Sequence, residues 1–89
     1  MDVGKTISEG EKAKDLLENY LFKEIFTSLK NAYLDGWVAT DAADVDGRER
    51  LYIAVQILDH IQTHVRVVAE SGKLAIAQVE RIKKSRGIQ

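Results

Sequence analysis

From Leu51 onward the apolar residues step by alternating threes and fours. Leu51, Ala54, Leu58, Ile61, Val65, Val68, Gly72, Ala75, Val79 and Ile82 form an unbroken a/d seam. That is the pattern of a helix laying one stripe against a neighbour. The phase runs through Gly72, so it predicts one long helix over 47–84, with a kink allowed at Ser71-Gly72. Glycine costs about 1 kcal/mol against alanine inside a helix. The competing reading therefore ends a helix at Gly72 and starts a third at Lys73. At about 1.5 Å per residue, the continuous helix is roughly 55 Å long. A second apolar stripe, Ile53, Ile57, Val67 and Leu74, runs beside the seam.

The first half of the chain is also helical in period. Leu16, Leu17, Tyr20 and Leu21 make one apolar patch. Phe22, Ile25, Phe26, Leu29, Tyr33 and Trp37 make another, rotated around the axis. The spacing predicts a helix over 9–35. Ser8 with Glu11 reads as a capping box, in which each side chain satisfies the other's backbone N–H. Gly36 reads as the stop. The loop then covers 36–46, where Asp and Gly residues supply turn chemistry. Asp46 with Glu49 reads as the start of the second helix. β-branched alternation is absent, and so is proline, which permits long helices.

The expected fold is all-α, one helical domain over 1–89. It is an antiparallel helical hairpin of two long helices with a basic C-terminal tail. A hairpin buries one stripe of each helix. Fully burying a large apolar side chain is worth about 1.5–3 kcal/mol, so the leftover stripes predict oligomerisation. Phe22, Phe26, Tyr33, Trp37, Ile53, Ile57 and Val67 are the expected subunit contacts. A self-contained three-helix bundle is the alternative.

Composition narrows the class. Eighty-nine residues, 45% hydrophobic and 30% charged, suit one small domain with a modest core, and such chains often gain stability by associating. Without cysteine there is neither a disulfide framework nor a thiolate metal site, which suits a reducing cytoplasm. No apolar run has the length of a membrane span, and MDVGKTISEGEKAKD lacks the apolar stretch of a signal peptide. A cytoplasmic protein with no membrane contact is expected. The net charge of −1 hides an asymmetry. Residues 1–47 hold five lysines against ten acids, and residues 48–89 hold eight cations against four acids.

The candidate chemistry is sparse. His60 and His64 in HIQTH have the spacing of a zinc-protease pair. The glutamate that should follow the first histidine is replaced by Ile61, and no third ligand is spaced to join them. Aligned on Gly47, the acids Asp41, Asp44 and Asp46 suggest a calcium loop, but Ala42 and Ile53 stand at its first and last ligand positions. Gly4-Lys5-Thr6 lacks the first glycine of a P-loop. No catalytic residue, cofactor or metal is therefore expected. The tail RIKKSRGIQ is more informative. Arg81, Lys83, Lys84 and Arg86 can contact DNA phosphates, although cations also simply complement a helix C-terminus. No aromatic is interleaved for base stacking.

The stretches KAKDLLENYLFKEIFTSLKNAYLDGW (12–37) and DGRERLYIAVQILDHIQTHVRVVAESGKLA (46–75) resemble short all-helical proteins of tailed-phage genomes. The features that carry this are Leu16-Leu17, the Phe/Tyr/Trp series, Arg48-Glu49 before Leu51-Tyr52, and Glu70 to Ala75. Size and hairpin design are similar to small terminase subunits of short-tailed phages. That resemblance implies a helical ring that binds double-stranded viral DNA and regulates the large terminase subunit, which packages and cuts it. The chain departs from many small terminases in lacking a separate helix-turn-helix domain. A protein-only adaptor or virion component is the second class this design suits. A metal-dependent enzyme using His60 and His64 is the third.

Overall fold

A computed structural model describes residues 2–87, and these are helical without a strand. The two long helices expected are three: α1 (Val3–Glu18), α2 (Tyr20–Ala39) and α3 (Val45–Arg86). The starts of all three helices and the end of α2 follow from a side chain that replaces a lost backbone partner.

α1 starts earlier than the Ser8–Glu11 pair predicts. Asp2 caps it: the Lys5 N–H donates to Asp2 Oδ1 at 3.1 Å. The Thr6 N–H and hydroxyl both donate to the Asp2 carbonyl at 3.0 Å. Aspartate is among the best N-caps, and nothing between Asp2 and Ser8 interrupts the helix, so Ser8 is an interior, exposed position. The expected single helix over 9–35 is divided at Asn19, whose backbone is extended (φ −70°, ψ 123°). Its Oδ1 accepts the Phe22 N–H at 2.9 Å and its carbonyl accepts the Lys23 N–H at 3.1 Å. Asn side chains compete with the backbone in this way, and here that competition starts a new helix.

Gly36 does not end α2. It lies inside the helix, where an added β-carbon would meet Leu51 Cδ1 at 3.6 Å, an ordinary contact. α2 ends at Thr40, whose N–H and hydroxyl donate to the Trp37 carbonyl at 3.2 and 2.6 Å. The expected loop over 36–46 shortens accordingly. Asp41 makes an Asx turn by accepting the Ala43 N–H at 2.9 Å. Asp44, rather than Asp46, caps α3, taking the Gly47 N–H on Oδ1 at 3.0 Å and the Arg48 N–H on its carbonyl at 3.1 Å. α3 then runs for 42 residues through Gly72 without interruption.

The chain forms two compact units, and α3 contributes to both. In the unit made of 2–17 and 64–87, α1 runs antiparallel to the second part of α3. Its core is made almost entirely of small residues: Gly10, Ala13, Ala69, Gly72 and Ala75 are buried. A β-carbon built on Gly10 would stand 2.6 Å from Gly72 Cα, and one on Gly72 would stand 2.8 Å from Gly10 Cα. The two helices thus meet backbone to backbone, which only glycine permits, and which brings Cα–H groups near the Thr6 and Val68 carbonyls.

In the unit of 18–63, α2 pairs with the first part of α3. Arg48 lies over Trp37, Gly36 lies against Leu51, and Lys30 pairs with Asp59. The separation in sequence grows along this series, as antiparallel helices require. Leu58 is the buried large residue here, with Phe22, Phe26, Tyr33, Leu51 and Val55 half-buried.

Gly10→Ala and Gly72→Ala should each destabilise the protein by about 1–3 kcal/mol, outweighing the roughly 1 kcal/mol that alanine gains in helix propensity. Gly36→Ala, whose β-carbon would make only an ordinary contact with Leu51, should keep that gain. Urea denaturation followed by circular dichroism orders the three. A Gly72→Ala protein as stable as the parent would refute the backbone-to-backbone contact.

Candidate functional site

The surface of the 18–63 unit is the candidate site. Its buried stripe is narrow, and apolar side chains flank it. On one side Leu34, Trp37, Leu51, Tyr52 and Val55 line an open groove of about 330 Å³. The lining holds no Asp, Glu, Lys, Arg or His, so the groove offers contact area with little polar discrimination. The Arg48 guanidinium is 4.4 Å from the Trp37 ring centroid, within cation–π range. Lys30 Nζ reaches Asp59 Oδ1 at 3.2 Å with both side chains about half exposed. Such a pair is worth little in water. Gln56 Nε2 donates to the Tyr52 hydroxyl at 2.9 Å.

The expected contact residues separate into two sets. Phe22 and Phe26 are half-buried, with ring centroids 4.7 Å apart and planes inclined at 50°. Tyr33 is half-buried too. Trp37 lies in the groove, 39% exposed. Ile53, Ile57 and Val67 are exposed. Leu21, Ile25, Leu29 and Ile61 are further exposed apolar residues that the sequence reasoning did not place at an interface. Their signal was available: Leu21, Ile25 and Leu29 repeat every four residues, the spacing of one helix face. Ile61 belongs to the a/d seam yet is 45% exposed, and Ile82 is 54% exposed, whereas Ala69, off the seam, is buried. A straight α-helix drifts about 20° per heptad against a 3.5-residue repeat. That drift does not account for Ile61, because Gly72 and Ala75 lie farther along the same seam and are buried.

Arg81, Lys83, Lys84 and Arg86 are all exposed and close α3, where the Gly87 N–H bonds the Lys83 carbonyl at 2.7 Å. At 3.6 residues per turn these four side chains point around the axis rather than along one face. They also complement the negative end of the helix dipole.

His60 and His64 are exposed on α3. Glu9, Lys12, Ala13, Leu16, Val65 and Val68 surround a shallow depression beside His64. Among the described residues no group of three or more His, Cys, Asp or Glu is placed to hold a metal ion, and no helix is long and apolar enough to cross a membrane. Asp41 and Asp44 are occupied as turn and cap residues. No family model, curated protein or solved structure matches the chain.

Trp37 is the single tryptophan, so its emission reports on the groove. Arg48→Ala should shift that emission and lower stability by about 0.5–1 kcal/mol, with helix content retained. Fluorescence and thermal melts of the variant check this. An unchanged spectrum would mean that Arg48 does not stack on the ring in solution.

Proposed function

We propose that this protein is a non-catalytic helical-hairpin subunit of a homo-oligomer, and that the oligomer is a DNA-packaging accessory of the small-terminase kind. One observation carries the reading. The 18–63 unit buries a single large side chain, Leu58, and leaves twelve large apolar residues more than a third exposed. Apolar surface on that scale is unusual for an isolated chain and marks an interaction surface. A second copy covers it with chemistry like its own.

The DNA part of the proposal is supported by the exposed cations at the end of α3 and by the resemblance to small terminases. Copies assembled side by side repeat Arg81, Lys83, Lys84 and Arg86, so contacts that are weak singly add by avidity. The arrangement of these cations around the helix axis suits this. One copy presents only some of them to a given duplex, and neighbouring copies supply the rest. In this reading the large terminase subunit is the protein partner, and no cofactor takes part. The alternative is a protein-only adaptor or virion component. It is favoured by the same ring of cations, which ordinary dipole complementation already explains, and by the lack of an aromatic among them.

Double-stranded DNA should bind at low salt, with affinity falling steeply as salt rises. Lys83/Lys84/Arg86→Ala should flatten the slope of log K against log salt by about 0.9 for each phosphate contact removed, while leaving helix content and assembly unchanged. Fluorescence anisotropy across a salt series measures this. Absence of binding at low salt would leave the adaptor reading.

A further inference from the structure

We infer that copies of this chain associate head to tail, the aliphatic flank of one 18–63 unit entering the aromatic groove of the next. The inference rests on the self-association proposed above and specifies its geometry. At 3.6 residues per turn, Leu21, Ile25 and Leu29 lie on one flank of the α2 face that meets α3, and Leu34 and Trp37 lie on the other. On α3, Ile57 and Ile61 lie on one flank of the face that meets α2, and Tyr52 and Val55 on the other. The helices run antiparallel, so the flanks match in pairs. The groove joins Leu34 and Trp37 to Tyr52 and Val55, and Arg48 over Trp37 and the Lys30–Asp59 pair lie on that same side. Leu21, Ile25, Leu29, Ile57 and Ile61 therefore share the opposite side. The Lys30–Asp59 pair sets the register and brings Ile25 and Leu29 level with Ile57 and Ile61, so the aliphatic flank is continuous.

Area and shape select the occupant. An ordinary interface covers about 800 Å² of each partner, a little over half of it apolar. The five aliphatic residues are 64, 48, 39, 52 and 45% exposed in chain order. Together they offer on the order of 400 Å², which is the apolar share of such an interface. The groove holds about 330 Å³ of space lined by uncharged side chains, and an apolar hollow left empty forfeits the contacts of its walls. The groove's own lining offers a charged peptide or a nucleic acid no partner, and the neighbouring cation, Arg48, is stacked on the Trp37 ring. Two aliphatic flanks pressed together would leave both grooves unfilled, and two grooves pressed together would leave both flanks in water. Flank into groove covers both. Because the paired surfaces differ, each copy keeps one free surface of each kind, and the association continues until it closes on itself or extends as an array.

Complementary blocking tests this on the full-length chain. Ile25→Glu blocks the flank and Leu34→Glu blocks the groove, and both replaced side chains are already exposed. Each variant alone should lose association by on the order of a hundredfold, since a charge would be left unpaired in an apolar contact, and should sediment as a monomer. Mixed in equal amounts, they should form a one-to-one dimer and nothing larger, because the intact groove of one meets the intact flank of the other. Sedimentation velocity reads the masses and circular dichroism checks the helix content. If either first variant loses helix, Ile57→Glu and Tyr52→Glu repeat the pair. A monomeric parent protein, a single-site variant that still assembles, or a mixture that stays monomeric would each overturn the inference. Like-to-like dimers would overturn it while leaving the proposed oligomer intact. Assembly as described, without DNA binding, would support it and remove the packaging reading instead.

Discussion

A helix with one neighbour can bury one stripe of its surface. That constraint governs this molecule. Each compact unit is a pair of helices, so each is built on a contact line rather than an enclosed core, and among the described residues no large side chain is fully removed from water. Every apolar residue beyond the contact line is left at the surface, whatever its hydrophobicity. The exposed Leu and Ile residues of α2 and α3 follow from this geometry, as does the proposal that something like the chain itself covers them.

The two units meet this constraint differently. Around Gly10 and Gly72 the helices come so close that backbone touches backbone, and alanines fill what remains. Close approach maximises contact for little apolar area. Between α2 and α3 the spacing is filled by Phe22, Phe26, Tyr33, Leu51 and Leu58, and larger side chains leave flanks and a groove beside the seam. The surface available for association is thus concentrated where the side chains are large.

The helical class was legible in the sequence because period, composition and the absence of proline agree. The boundaries were less so. Ser8, Gly36 and Asp46 carry acceptable signals, but Asp2, Asn19 and Asp44 offer competing ones, and only the folded backbone decides between neighbouring caps. The Asn19 break was the hardest to see, since the apolar period passes straight over it. The candidate surfaces were half legible. Trp37, Ile53, Ile57 and Val67 are exposed as expected of contact residues, while Phe22, Phe26 and Tyr33 are half-buried in their own chain. Ile61 misled because it keeps the seam's spacing yet is exposed between buried Leu58 and buried Gly72, next to the point where α3 passes from one unit to the other. The groove needs two helices in register and has no signature within either one.

Gly72 reads in sequence as a weak point in a long helix, a place to bend or stop. In the fold it is where α1 comes nearest. This has a consequence for how the protein can change over generations. A large side chain in a core can shrink while a neighbour grows, and volume is conserved. Gly10 and Gly72 have no such exchange open to them, because neither residue can become smaller. Any replacement at either position must push two whole helices apart, so the pair can drift only if the alanines around it drift too.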